Sequence, residues 1–201
     1  MLGKKNKLNY KKIVDIVKPN SSILDLGTGE GTLLKMLIDE KKCSGLGIEI
    51  NQHSVIKSLE KGLSVIQGNL DEGLSMFEDK QFDYAILNQT LQSVQKPDFV
   101  IREMLRVAKK VIISFPNFAY YKVRFYLFFK GKMPKSKMLP YEWYNTPNIH
   151  LLTVKDFFEF CSLRNIKILN SIYMQNGKIC NYINKSLANI LSEEVIFICS
   201  C

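Results

Sequence analysis

The chain has 201 residues, 46% of them hydrophobic, with a formal net charge of +9 and five cysteines. That length and apolar content suit one folded unit with a real core and exclude a disordered chain. No apolar run approaches the roughly 20 residues that a membrane-spanning helix needs.

The lysine-rich stretch 1–12 lacks an apolar core and a cleavage site, so it does not read as a secretory signal. Cys43, Cys161, Cys180, Cys199 and Cys201 are odd in number and scattered, matching neither a disulfide framework nor a zinc spacing. A cytoplasmic protein with reduced thiols is the expectation. Only four of the cations are arginines (Arg102, Arg106, Arg124 and Arg164). Arginine supplies the bidentate contacts that nucleic-acid recognition favours, so a general lysine bias accounts for the charge and argues against a nucleic-acid partner.

In chain order, Tyr10, Ile13, Val14 and Val17 recur at helical spacing, and Pro19-Asn20 ends that helix. A first strand over 22–26 runs into Gly27, Gly29 and Gly31, followed by a helix to about residue 40. A second strand over 45–50 ends beside Glu49, and a helix over 52–60 stops at Lys61-Gly62. A third strand over 63–67 closes on Gly68-Asn69, and a fourth over 82–87 closes on Asn88-Gln89-Thr90. Pro97 opens a helix with Val100, Met104, Leu105 and Val107 on its apolar face, and a fifth strand covers 111–115.

These strands are short, apolar on both faces and alternate with helices. The pattern predicts a three-layer α-β-α sandwich around a mostly parallel sheet. Residues 118–152 break the alternation with an aromatic and basic insertion that contains a helix over 118–130 and a loop bearing Lys132, Lys135 and Lys137. Thr153 caps the next helix. Two last strands, 166–174 and 195–199, lie around Asn176-Gly177 and a helix over 187–191. The whole reads as one domain, residues 1–201, with seven strands.

Strand, glycine turn and helix form a nucleotide site in α/β proteins. A phosphate-binding loop needs Gly-Lys-Ser/Thr after its glycines, and no lysine stands there. A dinucleotide fingerprint would have Thr32 at its third small position, and Asp25 would set a carboxylate beside a pyrophosphate. S-adenosylmethionine carries no phosphate but does carry an ammonium and a sulfonium, which Asp25 suits. Glu49, 18 residues after Gly31, stands where a carboxylate accepts ribose hydroxyls. Asn69 is placed for the adenine edge, with Leu70 stacking nearby. The candidate cofactor-binding set is Asp25, Gly27, Thr28, Gly29, Gly31, Glu49, Ile50, Asn69, Leu70 and Asn88, for S-adenosylmethionine or S-adenosylhomocysteine.

The stretch 25–31, DLGTGEG, resembles motif I of class I S-adenosylmethionine-dependent methyltransferases. A closer resemblance is to the MetW family of bacterial methionine biosynthesis proteins. It rests on residues 69–74 (NLDEGL), 87–92 (LNQTLQ), 102–107 (REMLRV), 114–118 (SFPNF) and 139–150 (LPYEWYNTPNIH). Thr28 stands where such proteins usually carry Cys, and Asn69 where they carry Asp. The resemblance implies a seven-stranded methyltransferase fold and a role in methionine synthesis. It also implies association with a MetX-type homoserine O-acyltransferase, as partner or activator.

No catalytic residue is assigned. Asn88 is followed by Gln89-Thr90-Leu91 rather than the Pro-Pro-aromatic sequence of amino-directed methyltransferases, and His53 and His150 fall in no recognisable triad. A small-molecule methyltransferase using the same pocket is the alternative. Phe118, Tyr121, Arg124, Phe125 and Trp143 are the candidate docking surface, because aromatics and Arg concentrate in interface cores; the alternative is a helix packed on the sheet with its lysines solvated.

Overall fold

The computed structural model describes residues 4–136, 138–182 and 184–201, with side chains from residue 8 onward; Lys137 of the expected basic loop lies outside the described residues. Among the described residues, seven α-helices and eight strands follow in chain order. They are α1 (Lys4–Ile16), β1 (Ser22–Leu26), α2 (Thr32–Lys41), β2 (Ser44–Glu49), α3 (Gln52–Glu60), β3 (Ser64–Gln67), β4 (Phe82–Asn88) and α4 (Pro97–Val107). After them come β5 (Ala108–Pro116), α5 (Tyr121–Lys130), α6 (Val154–Leu163), β6 (Lys167–Gln175), β7 (Lys178–Cys180), α7 (Lys185–Leu191) and β8 (Glu194–Ser200).

All eight strands form one sheet in the order β3-β2-β1-β4-β5-β8-β6-β7. Strands β1 to β5 run parallel, and β8 enters antiparallel between β5 and β6. Alternate residues of the central strands face two separate apolar layers. Ile23, Ile86 and Ile112 meet Val14 of α1 and Leu33 and Leu37 of α2, while Leu24, Leu87 and Phe115 meet Met104 of α4 and Phe157 of α6. Strands apolar on both faces are stable only when helices cover both, so the expected three-layer sandwich follows.

The sheet has one strand more than the sequence suggests. Asn176 and Gly177 take φ of 50° and 72°, both left-handed, which is the geometry of a two-residue hairpin. They turn the chain back so that β7 pairs with β6 through Gln175↔Lys178 and Tyr173↔Cys180. The helix expected over 118–130 begins at Tyr121, since Asn117 and Tyr120 close a turn in front of it.

Strand order reverses between β1 and β4. β1 leads outward to β2 and β3, and β4 leads the other way to β5. A crevice therefore opens outside the carboxyl ends of β1 and β4, the usual ligand position in an open α/β sheet. The 102–107 segment anchors the loop that follows β3. Arg106 reaches the carbonyls of Leu74 and Phe77 at 2.9 and 2.8 Å and pairs with Glu103 at 2.8 Å, while Glu103 accepts the Leu74 amide at 3.0 Å.

Candidate functional site

The chain leaves β1 in a tight glycine turn hung on the next strand. Gly27 and Thr28 both donate their amides to the Ile48 carbonyl, at 2.8 and 3.1 Å. Gly27 sits at φ 68°, and a Cβ there would lie 2.6 Å from both Cγ2 and Oγ1 of Thr90, so only glycine leaves room for the β4 loop. At Gly31, φ 72°, a Cβ would come within 2.3 Å of Leu63 Cδ1; that glycine lets the start of α2 pack closely.

Asp25 is buried beneath the turn at 2% exposure, and Thr28 Oγ1 donates to its Oδ2 at 2.6 Å. Burial pushes the Asp25 carboxyl up to about 6, the Thr28 hydrogen bond opposes that rise, and the Glu49 charge adds to it. Glu49 ends β2 with both oxygens engaged from the chain. Oε2 accepts the Gly29 amide at 2.8 Å, and Oε1 accepts the Asn51 amide at 2.9 Å. Backbone amides thus aim this carboxylate without exhausting its acceptor capacity.

A cavity of about 290 Å3 opens at these strand ends. Of the ten residues expected from sequence, Gly27, Glu49, Ile50, Asn69 and Leu70 line it. Asp25, Thr28, Gly29 and Gly31 build the turn behind it rather than its wall. Asn88 turns its side chain away, accepting a hydrogen bond from Ser114. Asn69 Oδ1 accepts the Asp71 amide at 3.0 Å and so caps a short 3-10 turn.

Sequence reasoning missed the opposite wall, which Asp71, Thr90, Ser93, Val94 and Gln95 supply. Asp71 ties the two walls together, accepting the amides of Gln95 at 3.0 Å and Lys96 at 2.7 Å. An acid inside the 69–74 segment was the available signal; the path of the loop that meets it was not legible.

Next to the cavity lies a buried polar corner. Gln89 holds φ 57°, a left-handed conformation that a non-glycine residue seldom takes, and its Nε2 reaches Glu194 Oε1 at 2.6 Å. Asn9 of α1 donates to the same Glu194 oxygen, and its own Oδ1 is buried without a partner. The Tyr10 phenol is raised by burial and then by the charges of Asp25 and Glu194, which places both carboxylates around it. Neither His53 nor His150 lines the cavity, and both are exposed.

The expected docking residues fall into two groups. Phe118 and Tyr121 are half-buried, and Arg124 donates its Nε to the Ala119 carbonyl at 2.6 Å. Phe125 and Trp143 stand in solvent. The far end of the insertion returns to the cavity wall, where the amides of Ile149 and His150 both donate to the Gln92 carbonyl.

Comparison with known proteins agrees with this architecture. A model of the family described as "Methionine biosynthesis protein MetW" matches residues 7–199. The bifunctional methionine biosynthesis protein MetXA/MetW of Rhodopirellula baltica is 37% identical over 175 residues, which is 83% of this chain. The match takes in only 28% of that relative's length. An uncharacterized protein of Methanocaldococcus jannaschii is 25% identical over 184 residues, covering 87% of this chain and 81% of that one. A solved S-adenosylmethionine-dependent methyltransferase from Mesorhizobium loti superposes with a TM-score of 0.69 over 98% of this chain and 99% of that one, at 12% identity. That last likeness is one of fold alone. By family match and by sequence identity, the chain belongs to the MetW family of methionine biosynthesis proteins.

Proposed function

We propose that this chain binds S-adenosylmethionine, or its product S-adenosylhomocysteine, in the cavity at the ends of β1 to β4. On this reading it serves methionine synthesis as the partner of a MetX-type homoserine O-acyltransferase. The carrying observation is the paired setting of Glu49 and Ile50 at the cavity. A carboxylate aimed by two backbone amides stands beside a large apolar side chain that is 63% exposed. A nucleoside satisfies both, since ribose hydroxyls donate to the acid and a base covers the isoleucine from one side and Leu70 from the other.

The remaining site residues fit the other end of such a ligand. Asp25, directly behind the glycine turn, and the unpartnered Asn9 Oδ1 are acceptors, not donors, which suits an amino acid's ammonium on that side of the cavity. A pyrophosphate would find no such welcome there. The partner reading is supported by the Rhodopirellula relative, a bifunctional MetXA/MetW protein.

Isothermal titration with S-adenosylmethionine tests the pocket. Glu49→Ala removes a charged acceptor worth about 1.5–3 kcal/mol, so affinity should fall about 10- to 100-fold. Undiminished binding would sink the assignment. A second reading, methyl transfer to a small molecule, is favoured by the strained Gln89 and the buried Glu194 beside the cavity. Transfer of labelled methyl to a metabolite panel distinguishes it, and a panel left unlabelled while ligand still binds would leave the cofactor as a signal.

A further inference from the structure

Helix α5 presents an aromatic face that none of the described residues covers. Val123 is its one buried residue, whereas Phe125, Phe128 and Phe129 are 57%, 80% and 70% exposed. With Tyr121 they fall at i, i+4, i+7 and i+8, one stripe along the helix. The rings hold one another. Phe125 stacks on Phe129 at 5.9 Å, Phe128 meets Phe129 edge-on at 5.0 Å, and Tyr121 meets Phe125 edge-on at 6.4 Å. Such a ladder is ordered before any partner arrives, so docking on it loses little side-chain freedom. Beyond the end of α5 a cleft of about 570 Å3 opens between Tyr126, Met133, Tyr141 and Trp143, with Lys132 and Lys135 on its walls.

We propose that the acyltransferase seats here, laying an apolar groove rimmed by carboxylates over the α5 stripe and filling the cleft with an apolar anchor. This rests on the partner reading given above and names the surface that serves it. Charge disfavours a second copy as the occupant. Residues 118–152 carry Lys122, Arg124, Lys130, Lys132, Lys135 and Lys137 against one acid, Glu142, and that acid already pairs with Lys135 at 2.5 Å. A second copy in two-fold contact would set these cations against each other, which disfavours self-association. An anionic bilayer would match the charge. However, Arg124 is turned back onto the Ala119 carbonyl instead of reaching outward toward headgroups. The fused relative also joins the two protein functions in one chain. Large exposed aromatic patches on a basic surface fit an acidic protein partner.

The test uses the full chain and the MetX-type acyltransferase of the same organism. Their affinity is measured by sedimentation for wild type, for Phe128→Ala with Phe129→Ala, and for Lys130→Glu. Saturable binding by wild type is expected, at least tenfold weaker in the double variant and several-fold weaker in Lys130→Glu, with S-adenosylmethionine affinity unchanged in both. Lys130→Glu disturbs no packing and keeps the test open if the double variant misfolds. Wild-type affinity in both variants would overturn the surface and leave the partner reading standing. Absence of binding by wild type would overturn both. Sedimentation of wild type, but not the double variant, with phosphatidylglycerol vesicles, together with unchanged acyltransferase affinity, would make this a membrane face and overturn the proposal. So would self-association that the double variant abolishes.

Discussion

Asn117→Ala should lower the unfolding free energy by about 4 kcal/mol, the largest effect expected of one side chain here. Asn117 is 2% exposed and clasps both ends of the aromatic insertion to the sheet. Its Oδ1 accepts the amides of Ala119 at 3.1 Å and Val154 at 3.3 Å. Its Nδ2 donates to the carbonyls of Asn189 and Ser192, both at 2.8 Å. Truncation would leave those four backbone groups buried without this partner, and each orphan costs roughly 1–3 kcal/mol less whatever water recovers. Asn117→Asp keeps the shape but points an acceptor at two carbonyls, so it should fail nearly as badly. Chemical denaturation of the three proteins checks this, and an Asn117→Asp variant as stable as wild type would show that the clasp is not what holds the insertion. Because Phe118 also bonds to Leu152 across the base of the insertion, loss of the clasp should loosen α5 before it reaches the cavity.

The elements of the fold were legible because each is encoded locally. The boundaries of β1 and α3 coincide with those read from apolar periodicity and flanking turn residues, and Thr153 caps α6 as expected, with Asp156 completing a capping box. The near side of the site was legible for a related reason: Gly27, Glu49, Asn69 and Leu70 each sit at the carboxyl end of a strand, and a parallel sheet gathers such ends at one edge.

What escaped depends on distant partners. Asn9 and Glu194 lie 185 residues apart, and they meet only because β8 inserts beside β5 while α1 crosses the same sheet face. No spacing in the chain announces that meeting. The wall from Thr90 to Gln95 is set by where Asp71 captures two amides, a tertiary bond without a local pattern. Asp25 shows the same limit differently. Its identity suggested a charge offered to the ligand, whereas its environment is a buried carboxyl under a glycine turn.

If S-adenosylmethionine binds as proposed, that burial sets stability and binding against each other at Asp25. Its carboxyl titrates near 3.8 in an ordinary setting and at about 6 in the folded chain. A carboxyl whose value rises on folding disfavours the charged form in the folded state. The stabilising contribution is therefore complete below about pH 3.8 and is lost as pH climbs through 6. At pH 7.5 the loss amounts to about 3 kcal/mol. Asp25→Asn keeps an acceptor for the Thr28 hydroxyl and cannot ionise, so it should be more stable than wild type by about that amount at pH 7.5. The gain should shrink to nothing at pH 4.

Binding should move the other way. An ammonium beside Asp25 favours the ionised carboxylate, so wild type should release about three quarters of a proton on taking up S-adenosylmethionine at pH 5.5. The variant should release none from this group and bind at least tenfold more weakly. Titration calorimetry in two buffers of different ionisation enthalpy reads the proton directly, and denaturation at pH 4 and 7.5 reads the stability. A stabilised variant that binds with wild-type affinity and unchanged proton release would confine Asp25 to holding the turn. A variant stabilised but deficient in binding would mean that this chain carries a costly buried acid for its ligand's sake.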